Sequence, residues 1–240
     1  MEIFMCSFLQ FLSMRKQRIF SVLFGSLCLL LSCREQGKDH QVSSVEIGEI
    51  EIGNQIWMDR HLDVKTFRNG DSIPEVRSNA EWQNAGKEKR PAWCYYENDP
   101  GIGKEYGVMY NWYAVSDPRG LAPDGWRVPT NEDWIILENY LGSSDAGTKM
   151  KCDSMRNQNG GTPNNSKFCA LLGGYRSIEG NFTGLGELTY LTGVTEDQLP
   201  ESKDKYFIWG RGLHVAESKV MRCGLEKEFG LHVRCIRDKK

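Results

Sequence analysis

The chain has 240 residues, 40% hydrophobic and 26% charged, with 30 Lys+Arg against 32 Asp+Glu and a formal net charge of -2. That balance excludes the strongly basic surface on which nucleic-acid binding rests, so no partner of that class is expected. The length fits one domain with a short tether, and seven Trp and nine Tyr supply ring area for a core that needs no cofactor.

Arg15, Lys16 and Arg18 lead into an apolar run from Ile19 to Leu31 that closes on Leu30-Leu31-Ser32-Cys33. A basic segment, an apolar segment and a small residue before a cysteine form the pattern of a bacterial lipoprotein signal. Cys33 is then the acylated first residue of the mature chain. The apolar run is shorter than the roughly 20 residues that span a bilayer as a helix. Residues 1–32 are therefore expected to be a signal peptide. Met14, directly before Arg15-Lys16, makes the more ordinary start, which leaves residues 1–13 ahead of it. The expected address is the cell envelope, lipid-anchored at the outer membrane and facing the periplasm or the surface. Residues 33–44 are polar without an apolar period and read as a tether, so the folded domain is expected over 45–240.

Within that domain, apolar runs flanking Gly53-Asn54 predict a β-hairpin over Glu49 to Met58. Ser78 caps a short predicted helix to Ala85 that Gly86 stops. From Pro91 to Val115 aromatics are dense, and turns at Asp99-Pro100-Gly101, Asp117 to Gly120 and Pro123 to Gly125 predict irregular excursions. Thr130 opens the clearest helix: Glu132 and Asp133 put negative charge in its first turn, Trp134, Leu137 and Leu141 share a face, and Gly142 ends it. That face is expected to pack on a sheet. Gly160 to Asn165 and Gly180 to Gly186 read as loops, Glu196-Asp197 and Glu201 to Asp204 as a solvated insertion, and Phe229 to Ile236 as a final strand. The fold class is α+β, with few helices, short strands and long ordered loops.

Chemistry-bearing residues are thin. His40, His61, His214 and His232 show no metal-ligand spacing, and the apolar neighbours of His214 and His232 favour packed or surface imidazoles over ligands. No catalytic residue is assigned. The candidate ligand-binding loop is Tyr95, Tyr96, Glu97, Asn98 and Asp99, where aromatic faces can stack on sugar rings and carboxylates and amides can satisfy hydroxyls. Against this, aromatics so abundant more often fill the core of a loop-rich fold. The same three polar residues offer oxygen ligands of the kind Ca²⁺ takes, although beside a Pro-Gly turn they read first as a solvated loop. With Cys6 and Cys28 in the signal segment and Cys33 acylated, Cys94, Cys152, Cys169, Cys223 and Cys235 remain. In an oxidising compartment this odd set leaves at least one thiol free or paired with another chain.

Several segments in order along the chain carry a resemblance: Ile52-Gly53-Asn54-Gln55-Ile56-Trp57-Met58, Pro91-Ala92-Trp93-Cys94-Tyr95-Tyr96, Tyr110-Asn111-Trp112-Tyr113-Ala114-Val115, Gly125-Trp126-Arg127-Val128-Pro129-Thr130, Gly173-Gly174-Tyr175-Arg176 and Val233-Arg234-Cys235. They resemble the Fibrobacter succinogenes major paralogous domain, whose members look like secreted or lipid-anchored proteins of the Bacteroidota and Fibrobacter groups. That family in turn resembles the C-type lectin-like fold, in particular the formylglycine-generating branch, through Arg127-Val128-Pro129-Thr130 followed by Glu132, Asp133 and Trp134. The resemblance implies that the first and last strands pair and that helices pack on a small twisted antiparallel sheet. Gly186 to Gly193 replaces a Trp-rich segment found in many members.

Because Cys94 and Cys235 both fall in segments typical of the family, the resemblance points first to a Cys94–Cys235 bridge and second to Cys169–Cys223. Fold likeness does not carry activity. The expected function is a non-catalytic binding or adhesion module for a glycan or for another envelope or host protein, held to the membrane by its lipid. The alternatives are a formylglycine-generating-like modification enzyme using Cys223 and Cys235, and a purely structural envelope protein.

Overall fold

Gly53 adopts φ +59°, in the left-handed region, which lets Glu49–Ile52 (β1) fold back on Gln55–Met58 (β2) with Ile50 opposite Trp57. The computed structural model describes residues 47–153, 166–198 and 206–239; Cys33, the tether and the predicted loop at 160–165 lie outside them. Helix α1 (Asn79–Lys87) starts as expected, with the Ser78 hydroxyl oxygen accepting from the Glu81 amide at 3.2 Å. It runs through Gly86 instead of stopping there. A Cβ on that residue would lie 2.6 Å from the Glu228 side chain, so Gly86 serves close packing.

The aromatic segment resolves into small elements: strand β3 (Trp93–Cys94), a tight turn at Tyr96–Asn98, helix α2 (Pro100–Tyr106), strand β4 (Met109–Tyr110) and helix α3 (Trp112–Val115). Helix α4 (Asn131–Leu141) carries a full capping box, Thr130 and Asp133 each satisfying the other's backbone amide. Its Trp134, Leu137 and Leu141 are buried as predicted, and the Trp134 ring lies 4.7 Å from Trp57 of β2, with Phe168 closing the cluster. On the same helix the buried Glu138 accepts from the buried Arg211 Nε at 2.5 Å and from the exposed Arg222 at 2.8 Å, a three-charge tie to the sheet.

Helix α5 (Ala146–Met150) precedes a run of strands: β5 (Gly173–Arg176), β6 (Phe182–Leu185), β7 (Leu188–Gln198), β8 (Tyr206–His214), β9 (Met221–Leu225), β10 (Leu231–Val233) and β11 (Ile236–Arg237). Among the described residues one sheet follows the path β3-β4-β10-β7-β5-β6, with β8 on β7 and β9 on β8. A second is β1-β2-β11. The architecture is mixed α+β with few helices.

Four expectations change here. Gly180 to Gly186 is not a loop, because β6 pairs antiparallel with β5. Glu196 and Asp197 belong to β7, facing Ile208 and Phe207 of β8, while 201–204 lie outside the described residues. The final strand is split: β10 joins β7 and β4, β11 joins β2, and Arg234-Cys235 forms the step between sheets. The N-terminal hairpin does meet the C-terminal strand, but through β2, Ile236 facing Trp57, and not through β1.

The disulfide expectation is also corrected. Cys152 bonds to Cys169. The amide of Cys152 donates to the Ala170 carbonyl at 3.1 Å, and that of Ala170 to the Met150 carbonyl at 2.7 Å, which brings the two segments alongside each other. Cys94 packs with Trp82 and Met109, whereas Cys235 packs with Met58 and Tyr110 in a different cluster, so they form no bridge. Cys169 is taken by Cys152, and Cys223 sits on β9 against Tyr190 and Ile208.

Candidate functional site

Two features that both touch α2 carry exposed or unpartnered polar groups. The first is the predicted loop. Glu97 and Asn98 take φ of +51° and +57°, consecutive left-handed conformations at non-glycine residues. Local bonds hold this turn: the Asn98 amide donates to the Tyr95 carbonyl at 3.1 Å, its Nδ2 to the Arg77 carbonyl at 3.1 Å, and the Asp99 amide to the Tyr96 carbonyl at 3.1 Å. Asp99 Oδ1 accepts from the Gly101 amide at 2.7 Å and caps α2. Glu97 and Asp99 are exposed.

The aromatics of this loop face inward. Tyr96 is buried, its ring 5.3 Å from Phe182, and it packs where a Cβ on Gly174 would collide. Tyr95 is half-buried, set edge-on to Trp93 at 5.1 Å, with Lys65 Nζ 5.1 Å from its ring centre. Its ring also covers Gly103 of α2, where a Cβ would lie 1.9 Å from Tyr95 Cδ1.

The second feature is a cleft of about 180 Å³ beside α2, lined by Asp59 to His61 and Asp63, by Gly103 to Glu105, by Leu171, by the Cys152–Cys169 disulfide and by Arg234. Arg60 binds Asp59 with both Nε and Nη2, at 2.8 and 3.1 Å. His61 is buried, and its Nδ1 lies 3.0 Å from the Tyr106 carbonyl, which fixes Nδ1 as the donor and Nε2 as the lone-pair nitrogen of the neutral ring. That Nε2 has no partner. Burial, then the neighbouring His232 and the Arg234 charge, hold the His61 pKa well below the usual imidazole value. His232 stacks on His61 with ring centres 4.6 Å apart, and burial pushes it down to about 4.

Arg234 is 1% exposed. It donates through Nη1 to the Phe168 carbonyl and through Nη2 to the Cys169 carbonyl at 3.4 Å, and it lies 4.3 Å over the Phe168 ring. Its Nε has no partner, and no carboxylate forms an ion pair with it among the described residues. Burial lowers its pKa to about 9, the Asp59 charge opposing, so it stays cationic at neutral pH.

The sequence model of one family, described as the Fibrobacter succinogenes major domain, matches residues 50–237, the span from β1 through β11. The chain belongs to this family. No curated protein and no solved structure matches the chain.

In this Fibrobacter succinogenes major domain, the loop residues named from sequence thus form one turn, of which Glu97 and Asp99 face solvent, and none of the five lines the cleft. The cleft residues escape sequence reading because they come from five separated segments. Val233-Arg234-Cys235 stands out as a family-like segment, but no local signal marks Arg234 as buried. Burial raises the Cys94 and Cys235 thiols to about 12. No group of three His, Cys, Asp or Glu side chains suited to a metal occurs among the described residues, and no described helix is long and apolar enough to cross a membrane.

Proposed function

We propose that this domain is a non-catalytic binding module, lipid-anchored through Cys33 in the cell envelope, that recognises a glycan with the Glu97–Asp99 turn. The observation that carries this reading is the pair of left-handed non-glycine residues at Glu97 and Asn98. Each such residue costs on the order of 1–3 kcal/mol, and strain of this kind clusters at ligand contacts because it holds groups in one orientation. Here it presents two exposed carboxylates whose oxygens suit sugar hydroxyls. The cysteine thiols support a non-catalytic reading: at about 12, Cys94 and Cys235 hold almost no thiolate at neutral pH. The pairing of the N-terminal hairpin with β11 supports a C-type lectin-like arrangement.

A glycan panel probed with the protein, with and without a calcium chelator, tests the reading. Glu97→Gln and Asp99→Ser remove the carboxylates, and Ser at 99 keeps a capping oxygen for α2. Binding that falls at least tenfold in both variants supports it, and the chelator arm reports whether Ca²⁺ takes part. Unchanged binding removes the turn from the proposal. Incorporation of a fatty-acid probe that stops with Cys33→Ser tests the anchor.

A further inference from the structure

A sheet edge with unpaired outer backbone groups is a template for another strand, and folded proteins guard such edges with charges, proline, bulges or a covering segment. The edges of this protein differ in how they are guarded. Strand β3 is covered: the Trp93 amide donates to the Pro74 carbonyl at 3.0 Å and the Val76 amide to the Trp93 carbonyl at 2.9 Å. Strand β1 carries Glu49 and Glu51. Strand β9, Met221-Arg222-Cys223-Gly224-Leu225, pairs with β8 on one side and with no strand on the other among the described residues. It has no proline, no lysine and no acidic residue. Its one charge, Arg222, is tied to Glu138 through Nε and Nη2, at 2.9 and 2.8 Å.

The register tells which backbone groups of β9 face outward. Gly210 of β8 is opposite Cys223, and the Cys223 carbonyl oxygen lies 3.7 Å from where a Cβ on Gly210 would stand. The polar backbone groups of Cys223 therefore point to β8. Because inward and outward positions alternate along an antiparallel strand, those of Arg222 and Gly224 point away from it. Arg222 and Gly224 are both exposed, whereas Cys223 and Leu225 are buried. Among the described residues no backbone bond outside the β8 ladder reaches Arg222 or Gly224.

The same register selects the occupant. An antiparallel second copy of β9, laid on this edge with Cys223 at the two-fold axis, sets Arg222 opposite Gly224 of the second copy and Gly224 opposite its Arg222. Each of these facing pairs exchanges both of its backbone bonds. Met221 then faces Leu225 of the second copy, so the apolar face formed by Tyr190, Ile208, Cys223 and Leu225 continues across the axis. Gly224 makes the match possible. The long Arg222 side chain meets a residue without one, and the two arginines do not stand opposite each other, where like charges would repel.

We propose that β9 is a self-association edge, through which two copies of the domain pair antiparallel about Cys223 into one continuous sheet. The pairing does not depend on whether the Glu97–Asp99 turn binds a glycan.

Sedimentation of the full chain in detergent, from micromolar to millimolar concentration, measures the association, and amide hydrogen exchange at both ends of that range locates it. The expected result is a reversible monomer–dimer equilibrium in which the Arg222 and Gly224 amides exchange at least tenfold more slowly in the dimer, while the Cys223 amide is slow in both states. Two variants test the edge itself. Gly224→Pro removes an outward N–H without removing a bond to β8, and Gly224→Arg brings like charges face to face at both ends of the pairing. A Cβ at this position has Phe207 Cβ as its nearest neighbour, at an ordinary 3.6 Å, so the fold has room for either. Each should weaken the dimer at least tenfold with an unchanged circular dichroism spectrum, and either one decides the matter if the other does not fold. A chain that stays monomeric throughout, Arg222 and Gly224 amides that exchange alike in monomer and dimer, or a dimer untouched by a folded variant overturns the proposal.

Discussion

His61 and His232 pack ring against ring inside the protein in a tilted arrangement, centres 4.6 Å apart and planes 30° from parallel, one from the segment after β2 and the other from β10. Burial of both rings beside the Arg234 guanidinium favours neutral imidazoles.

The pH dependence of stability follows. Burial lowers the His232 pKa from 6.5 to about 4 and drives His61 down as well. Between pH 6.5 and about 4 the unfolded chain binds protons that the folded one refuses, so stability is full above pH 6.5 and falls as the pH drops through that window. For His232 alone the shift corresponds to about 3 kcal/mol. Urea midpoints measured from pH 7 to pH 4 should decline steadily, and His232→Asn should flatten the decline. A midpoint constant over that range would contradict the buried neutral pair.

Non-reduced peptide mapping should recover Cys152 linked to Cys169 and no Cys94–Cys235 peptide. The bridge closes a 17-residue separation, for which chain entropy gives about 3 kcal/mol of stabilisation. The Cys152→Ser and Cys169→Ser double variant should lose that amount in chemical denaturation.

The Arg211–Glu138–Arg222 tie yields a sharper test. Arg211 and Glu138 have side chains 0% and 5% exposed, so removing one partner strands a buried charge. Glu138→Gln should cost about 3–5 kcal/mol, whereas replacing Glu138 and Arg211 together with methionine should recover most of that loss. Additive losses in the double variant would show that the pair is not coupled.

Gly103→Ala probes the link between turn and cleft. The added carbon would lie 1.9 Å from the Tyr95 ring, so the ring must leave its seat against Trp93. The expected cost is about 1–3 kcal/mol, with a changed near-ultraviolet circular dichroism spectrum. A silent substitution would mean that the ring has room the structure does not give it.

What could be read from sequence was local. Thr130, Asp133, Trp134 and Gly142 state a helix start, a face and an end within a dozen residues, and Gly53-Asn54 states a hairpin, because capping and turn chemistry act over a few positions. What could not be read depends on distant partners. Phe229 to Ile236 looks like one strand until β7 and β2 claim its two ends for different sheets. The family-typical segments around Cys94 and Cys235 point to a bridge between them, but nothing in those segments reveals that they pack in separate clusters. The turn at Tyr95 to Asp99 was visible as a polar interruption in an aromatic run, while the cleft needed His61 and Arg234 to be brought together by folding.

Because β11 lies against β2 and the Arg237 guanidinium reaches Glu49 of β1 at 2.5 Å, the first and last strands of the domain end beside one another. Their succession along the polypeptide is thus separable from their arrangement in space. A circular permutant that joins the C-terminal strand to the N-terminal hairpin through a few residues, and opens new termini at the open turn around Gly186, should keep both sheets and the cleft.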